Sequence, residues 1–478
     1  MFPVASIIML TALLSSCGWL VPASGPGFVG PGVDDKLTPD PTQLANFAWV
    51  AQYGDGGSDE AKAIATDAAG NVIMTGFVQT YTSDPQQFRA FWRSEIIVAK
   101  HSPEGQQMWV RRTAAGNKDS CFGSAIAADA QGNVYVAGVF ADSVNFQGVP
   151  LRSAGKLDMF LAKYTAEGRF LWVRRFGGRN SDSPRSLAVD AAGRVYMAGV
   201  FNEPSLTVFT SENADGFLIQ FNADGVQQWA KTLAGTDDDF ISSVTISARG
   251  DMYCAGTFSG QATLGDVTMT NINSSSYVSS GFVAKFTPNG QVLWARNTEG
   301  SYAGFDAVSA DNQGNVSVTG SFNNTISLAG QSFTGTSESD IFIAKFSSSG
   351  SKIWAYNVGG QNPKNRNANS RSEGGNSIVT DGNGNIYVSG KFAYLAKFGS
   401  VELIERGYES PFIVKYDPQG TALWGKVGDY LGHPIPSLAV TPSGTVYVTG
   451  AFRATTLFGA STLTSDDGTD IFLGKLLP

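Results

Sequence analysis

Short apolar runs recur along residues 45–478, and turns that contain glycine separate them. Residues 195–201 (VYMAGVF) are typical, since they combine β-branched and aromatic side chains with small ones. Runs of this length between glycine turns predict β-strands. Both faces of such runs are apolar or small, as Tyr135 and Val136 illustrate, and this predicts sheets stacked face to face. We therefore expect an all-β fold.

One motif, Asp-x-x-Gly-Asn-Val-Tyr-Val-x-Gly with substitutions, occurs seven times. Its copies span residues 67–76, 129–138, 190–199, 247–256, 311–320, 381–390 and 441–450. The fourth position is glycine in every copy, which supplies the positive φ of a type I turn closed by a G1 bulge. The final glycines of successive copies lie 57 to 70 residues apart. The repeat therefore accounts for the chain from residue 45 onward.

A second motif, Phe-φ-x-Lys-φ followed by a glycine turn and a tryptophan, completes each unit. The tryptophans that end six units are Trp109, Trp172, Trp229, Trp294, Trp354 and Trp424. A unit thus reads as four strands, called A to D in chain order, and radially repeated four-stranded sheets form a β-propeller. The last unit lacks strand D, and Trp49 in residues 47–50 supplies it from the N-terminus. The prediction is a seven-bladed, antiparallel β-propeller closed by an N-terminal strand in the last blade.

The two motifs, recurring in this order, resemble the SBBP or "beta-propeller" repeat of bacterial secreted and surface proteins. The resemblance covers residues 45–478 and implies the propeller architecture, without one activity shared by the family. The pairs of glycine and tryptophan also look like the PQQ-type propeller repeat. The metal and quinone ligands of those enzymes have no counterpart that the sequence reveals.

The N-terminus carries a targeting signal. An apolar run at residues 4–14 is too short to span a bilayer and has the length of a signal-peptide core. The following Leu-Ser-Ser-Cys looks like a bacterial lipobox, which implies cleavage after residue 16 and lipidation of Cys17. Residues 17–44 are rich in proline and glycine and are predicted to be a tether. We expect a lipid-anchored protein of the cell envelope at the outer membrane; an ordinary secretory signal is the alternative.

The amino-acid composition limits which ligands and reactions the chain could support. The chain has 33 Lys and Arg against 41 Asp and Glu, and the absence of a basic block argues against nucleic acid. Two histidines and three cysteines offer little for catalysis or metals, so no cofactor, metal or catalytic residue is predicted. His101, in a C–D turn, and His433, in a D–A loop, are interpreted as hydrogen-bonded or solvated loop residues rather than catalytic or metal-binding ones. The acidic stretches 237–239 and 466–470 contain ligands suitable for calcium, although solvated loop tips are the favoured interpretation.

Cations recur with the repeat. One series occupies strand C, and a second lies two residues after the tryptophan: Lys100, Lys163, Lys285, Lys345, Lys415 and Lys475, then Arg111, Arg174, Lys231, Arg296 and Lys426. Either these residues form a binding ring, or they make the same structural contact in every unit. Structural contacts by snorkelling side chains are favoured.

Variable segments point to function. The A–B and C–D turns are nearly identical and share one end of the predicted disc, whereas the B–C and D–A connections vary and share the other. The B–C connection 78–94, predicted as a loop, holds the candidate binding residues Phe88, Arg89, Phe91, Trp92 and Arg93. We predict a monomeric, non-enzymatic binding scaffold for an envelope protein or glycan. A PQQ-type or other propeller enzyme and an outer-membrane assembly factor are the alternatives.

Overall fold

The computed structural model describes residues 41–84, 89–114, 121–202, 214–235, 237–271, 278–360, 372–405, 410–428, 437–466 and 468–478. Beside one short 3-10 helix (Pro41–Gln43), the described elements are β-strands. The chain is therefore all-β, as the sequence predicts.

Seven sheets in the described part of the chain share one arrangement, in which strands A to D pair antiparallel side by side. Sheet 1 contains β2 (Glu60–Thr66), β3 (Val72–Asp84), β4 (Arg89–His101) and β5 (Gln107–Ala114). Sheet 2 contains β6 (Cys121–Ala128), β7 (Val134–Phe140), β10 (Asp158–Tyr164) and β11 (Phe170–Phe176). Sheet 3 contains β12 (Ser183–Val189), β13 (Val195–Asn202), β14 (Ala214–Phe221) and β15 (Gln227–Gly235). Sheet 4 contains β16 (Phe240–Ile246), β17 (Met252–Ser259), β20 (Ser279–Phe286) and β21 (Val292–Asn297).

The remaining three sheets follow the same order. Sheet 5 contains β23 (Ala303–Ala310), β24 (Val316–Phe322), β27 (Asp340–Phe346) and β28 (Lys352–Val358). Sheet 6 contains β29 (Gly374–Thr380), β30 (Ile386–Phe392), β33 (Ser410–Tyr416) and β34 (Ala422–Val427). Sheet 7 contains β35 (Ser437–Val440), β36 (Val446–Phe452), β39 (Asp470–Leu477) and, from the N-terminus, β1 (Asn46–Tyr53).

The two ends of the described chain meet in sheet 7. Strand β1 runs antiparallel to β39, with Trp49 opposite Lys475 and Tyr53 opposite Ile471. The predicted position of the segment around Trp49, beside the last strand C, is the observed one. Because β1 occupies the strand D position, sheet 7 has the same four strands as the other six.

The A strands of successive sheets contact one another, and β35 of sheet 7 also contacts β2 of sheet 1. Serine hydroxyl groups form hydrogen bonds between several of these neighbouring A strands. Ser186 Oγ accepts a hydrogen bond from the backbone N–H of Val244 at 3.1 Å, and Ser437 Oγ donates one to the carbonyl oxygen of Lys62 at 3.3 Å. The small residues expected in strand A therefore let adjacent backbones approach and bond.

The tight turns follow the sequence prediction. Every predicted A–B turn glycine has a positive φ, between 77° and 89°. In the first copy, Asp67 Oδ1 accepts hydrogen bonds from the N–H groups of Ala69 and Asn71 at 3.0 and 2.9 Å. The aspartate thus holds the turn that precedes strand B.

The B–C connections hold structure that the sequence interpretation missed. Five of them contain a short hairpin beyond the four strands of the unit: β8 (Ser143–Phe146) with β9 (Val149–Arg152), β18 (Gln261–Leu264) with β19 (Val267–Thr270), β25 (Thr325–Leu328) with β26 (Gln331–Thr334), β31 (Leu395–Phe398) with β32 (Val401–Ile404), and β37 (Thr455–Phe458) with β38 (Ser461–Thr464). The two-residue strand β22 (Glu299–Gly300) pairs with β25. Each first strand ends in a buried Phe or Leu. A period-2 pattern before Gly marks these hairpins in the sequence.

The interpretation of 78–94 as a loop is wrong. Strands β3 and β4 run through most of this segment as a long hairpin arm, in register from Val72 opposite His101 to Asp84 opposite Arg89. The reason lies in the sequence, because β-branched and aromatic residues such as Val78 and Tyr81 favour extended backbone.

Candidate binding site

The end of the molecule with the A–B and C–D turns is called the short-turn end, and its repeated side chains lock neighbouring sheets together. In five units the tryptophan of strand D donates its indole N–H to a carbonyl oxygen in the next C–D turn. The pairs are Trp49 with Pro103 (3.1 Å), Trp109 with Ala166 (2.9 Å), Trp229 with Pro288 (3.2 Å), Trp294 with Ser348 (3.1 Å) and Trp354 with Pro418 (3.3 Å). The tryptophan series is therefore a set of links between sheets.

The strand C lysines make the same kind of link. Lys100 Nζ lies 2.8 Å from Asp67 Oδ2 in its own A–B turn and donates to the carbonyl oxygen of Ala166 in sheet 2 at 3.1 Å. Lys345 repeats both contacts, with Asp311 at 3.1 Å and Pro418 at 3.4 Å. These buried lysines fix structure, which agrees with the interpretation favoured from the sequence.

The second cationic series belongs to the same links. Arg111 Nε donates to the carbonyl oxygen of Gly168 at 2.7 Å, and Arg296 Nε donates to that of Gly350 at 3.0 Å. Both guanidinium groups also lie over the indole of their own strand, at 5.7 Å from its centroid. Contacts inside the protein thus occupy these two guanidinium groups, in line with the structural role favoured from the sequence.

His101 is part of the junction between sheets 7 and 1, where both of its ring nitrogens have hydrogen-bond partners. It ends β4, is buried, and stacks on the indole of Trp49 with ring centroids 5.6 Å apart. Its Nε2 bonds the hydroxyl of Tyr53, and its Nδ1 lies 3.0 Å from the carbonyl oxygen of Gly105. Burial lowers the pKa of His101, although the bond to Gly105 opposes this. The ring is a packing element of this junction.

The opposite end, with the B–C and D–A connections, is called the connection end, and buried carboxylates brace it. Glu373, which precedes strand A of sheet 6, accepts hydrogen bonds from the N–H groups of Gly360 at 2.6 Å and Ala393 at 3.3 Å. Burial, together with the charges of Asp340 and Glu405, raises the pKa of Glu373 to about 8. Asp239 occupies the equivalent place in sheet 4, and burial raises its pKa to about 8 as well.

A β-bulge interrupts six of the A strands near the connection end and leaves one residue out of register in each. These residues are Lys62, Ser124, Arg185, Ser242, Asp306 and Asn376. A bulge re-aims the side chain of its extra residue. The A strands that carry these six residues contact one another in succession, and we call the six residues the bulge ring. Their chemistry differs from sheet to sheet, in contrast to the repeated residues of the short-turn end.

Arg185 and Asp306 are the most distinctive members of the bulge ring. The Arg185 guanidinium lies over the ring of Phe240, 4.9 Å from its centroid. Both charged side chains are solvent-accessible. Even so, burial among protein atoms lowers the pKa of Arg185 and raises that of Asp306 to about 6, while their mutual attraction opposes each shift. Since β12 and β23 both contact β16, the two accessible groups lie on either side of one A strand.

Tyr302 adds an exposed aromatic group beside Asp306. Its pKa is raised by burial and by the charge of Asp306, which places the phenol near that carboxylate. Arg185, Phe240, Tyr302 and Asp306 are called the axial recess. They lie on or next to the A strands of sheets 3, 4 and 5, so a ligand bound there would contact residues from three sheets.

Lys62 occupies the bulge ring on the side of sheets 1 and 2. Its ammonium group pairs with Glu60 and lies 5.9 and 5.8 Å from the ring centroids of Phe77 and Phe122. This cation is therefore already neutralised by a neighbour on its own strand. Arg185 has no such neighbour.

The residues predicted to bind are only partly described. Phe88 and the lipidation residue Cys17 lie outside the described residues, and so does His433. For Arg89, Phe91 and Trp92 the structure describes the backbone, which places Trp92 opposite Tyr81 in the hairpin arm. Arg93 is half-buried, and Tyr81 is 62% exposed. Since Glu60 pairs with Phe77, the arm continues beyond the connection end.

Sequence reasoning missed the bulge ring. The signal was a variable polar position in a strand whose neighbours are small or apolar, as in Ala-Lys-Ala at 61–63 and Pro-Arg-Ser at 184–186. The small residues of strand A were interpreted as a response to crowding near the centre of the molecule. The polar residue between them received no interpretation.

The described residues contain no group of three or more His, Cys, Asp and Glu side chains placed to hold a metal ion. No helix among them combines the length and hydropathy that a membrane span requires. Cys121 and Cys254 are both buried and make no disulfide.

Similarity to known proteins is concentrated in the repeats. Residues 171–200 match the family model described as beta-propeller repeat, SBBP. An uncharacterized WD repeat-containing protein of Acanthamoeba polyphaga mimivirus is 23% identical over 519 aligned positions, which cover 86% of this chain and 36% of that protein. The regulatory protein FlaEY of Caulobacter vibrioides is 27% identical over 139 residues, covering 27% of this chain and 14% of its own length. The chain thus spans about a third or less of these relatives.

Among solved structures, a chain of the mitotic checkpoint complex has a TM-score of 0.45 at 11% identity, covering 98% of this chain and 99% of its own. A structure of YCF48 bound to a D1 peptide has a TM-score of 0.42 at 10% identity, covering 90% and 95%. The family-model match and the WD-repeat relative, taken with the repeated sheets, support a β-propeller repeat protein.

Proposed function

We propose that this chain is a non-enzymatic binding scaffold of the cell envelope. In this proposal it is a closed, seven-bladed β-propeller that captures an envelope protein or glycan at its connection end. The observation that carries the proposal is the contrast between the two ends. Repeated residues at the short-turn end are bonded inside the protein, whereas variable polar and aromatic residues face the opposite end.

Closure is supported by the junction between sheets 7 and 1, which uses the same bonds as the other junctions. Trp49 and Lys475 both donate to the carbonyl oxygen of Pro103, as Trp109 and Lys100 both donate to that of Ala166. The contact of β35 with β2 supports the same arrangement at the inner strands. A closed ring removes the exposed sheet edges on which β-proteins aggregate.

Binding at the connection end is supported by the arm and the recess together. The arm carries Tyr81 and the paired Trp92, and aromatic residues of this kind anchor protein interfaces. The recess adds charged groups that differ between sheets, which gives a surface the asymmetry that specific recognition needs.

Attachment to the envelope follows from the N-terminal sequence in this proposal. Lipidation of Cys17 would hold the chain at the outer membrane, and residues 18–44 would carry the propeller away from the lipid surface.

The test is capture of partners from the native envelope by the full chain. In one variant, Asn-Gly replaces residues 80–93; it joins Gln79 to Ser94, which already face each other, and so removes the arm beyond them. We expect this variant to lose the captured partner while keeping its melting temperature. Trp92→Ala should weaken capture by about 2 kcal/mol or more. Tyr356→Ala, at an exposed aromatic of β28, is the control and should leave capture unchanged.

Undiminished capture by a folded variant without the arm would move the binding surface elsewhere. Loss of capture in the Tyr356→Ala control as well would show a general loss of folded protein.

A further inference from the structure

The axial recess contains two charged groups that the protein leaves without partners. In the part of the chain that the structure describes, Arg185 donates no hydrogen bond, and its guanidinium makes only the contact with the Phe240 ring. Asp306 likewise accepts no hydrogen bond there, and neither group is in an ion pair. Because no ion pair joins Arg185 on β12 to Asp306 on β23, a gap separates the two groups.

Position in the fold explains the gap. Arg185 is the bulge residue of β12 in sheet 3, and Asp306 is the bulge residue of β23 in sheet 5. Sheet 4 lies between them and contributes Phe240 and the bulge residue Ser242 through β16. The intervening A strand therefore holds the two charges apart.

We propose that the axial recess binds a ligand that carries a carboxylate and an ammonium group, the carboxylate on Arg185 and the ammonium on Asp306. A free amino acid and a short peptide share this chemistry. The inference rests on the proposed function, because it names the ligand that the connection end would take.

The chemistry of the two residues fits this ligand. A guanidinium presents planar donors that match a carboxylate bidentately, and stacking on Phe240 fixes the plane of the group. A carboxylate in a recess attracts an ammonium more strongly than one in bulk water, since the effective dielectric constant is lower. Tyr302, whose phenol lies near Asp306, adds a polar aromatic wall.

The ligand can be identified with simple probes. Glycine, diglycine, triglycine and tetraglycine carry the same two charges at increasing separation, by at most about 3.6 Å per residue. Titration of each into the full chain, followed by calorimetry, should give one length that binds best. Acetylation of its amino group, or amidation of its carboxyl group, should weaken binding about tenfold or more. A best fit for glycine would indicate a free amino acid, and one for the longer probes would indicate a peptide.

Two variants assign the roles. Arg185→Gln should make the best probe and its amidated form bind equally weakly, and Asp306→Asn should do the same for the acetylated form. Each residue lies in an accessible recess, so both variants should fold. Arg169→Gln, at an exposed position in a C–D turn, is the matched control and should bind as the unaltered chain does.

Two results would overturn the inference. One is failure of every probe to bind the unaltered chain at millimolar concentration, and the other is equal binding by the Arg185→Gln variant. Neither result would affect arm-dependent capture of an envelope partner, so a failure here is distinguishable from a failure of the proposed function.

Discussion

The indole Nε1 of Trp49 donates a hydrogen bond to the carbonyl oxygen of Pro103 at 3.1 Å, and this bond joins the first described strand to sheet 1. The same indole packs against Gly105 in that turn. Strand β1 pairs with β39 near the C-terminus. Trp49 therefore links sheet 7, in which the two ends of the described chain pair, to sheet 1.

Trp49→Ala should lower the free energy of unfolding by about 2–4 kcal/mol, because a large, half-buried ring and its hydrogen bond are lost together. Chemical denaturation measures this effect. Trp294→Ala removes the equivalent link between sheets 4 and 5 and serves as the matched variant. If β1 is an integral blade strand, the two losses should agree within about 1 kcal/mol. A negligible loss at Trp49 alone would mean that β1 is a dispensable attachment.

Gly105→Ala should destabilise the protein more than Gly148→Ala. Both glycines have positive φ, 91° and 96°, so an added Cβ strains the backbone equally. At Gly105 that Cβ would also lie 2.7 Å from the Trp49 indole, whereas at Gly148 it would meet nothing within 4 Å. Backbone strain alone costs about 1–2 kcal/mol, and overpacking adds about 1–3 kcal/mol. Equal losses in denaturation experiments would contradict close packing of the turn on Trp49.

Lys100→Met should cost about 3–5 kcal/mol, since Asp67 would stay buried without its cation. The side chains of this pair are only 2% and 3% exposed. The double variant Lys100→Met with Asp67→Asn should recover part of the loss, and a double-mutant cycle measures the coupling. Lys397→Met, in an exposed pair with Glu402, is the control and should cost about 1 kcal/mol or less. Additive losses for Lys100 and Asp67 would contradict the ion pair.

The free energy of unfolding should fall as pH rises, because the buried carboxyl of Glu373 holds a proton in the folded state. The pKa of Glu373 is about 8 in the folded protein, against an ordinary value of 4.5, so the folded state binds this proton more tightly. Its contribution is complete below pH 4.5 and is lost as pH rises through 8. Glu373→Gln should therefore flatten the unfolding free energy between pH 5 and 8, measured by denaturation at each pH. The exposed Glu402→Gln should leave that slope unchanged, and an unaltered slope in Glu373→Gln would contradict the raised pKa.

The sequence predicted the repeated parts of this fold well, because each repeat displays its physical constraint. Turn glycines such as Gly70 need a positive φ, and the missing last tryptophan strand pointed to Trp49. The inserted hairpins were missed because their four-residue strands differ in sequence, as Phe146 and Leu264 show. The bulge ring could not be inferred in the same way. The bulge at Arg185 depends on how strands A and B pair, and the sequence of one strand does not determine that pairing.

The most direct measurement of the central proposal is position-resolved photo-crosslinking of the full chain in its native envelope. A photoreactive phenylalanine analogue would replace Tyr81, on the arm at the connection end, or Met108, on β5 near the short-turn end. These side chains are similarly accessible, at 62% and 50% exposed. The proposal predicts a discrete crosslinked partner from position 81 and none from position 108. The same partner from position 108 alone, or from both positions equally, would contradict it.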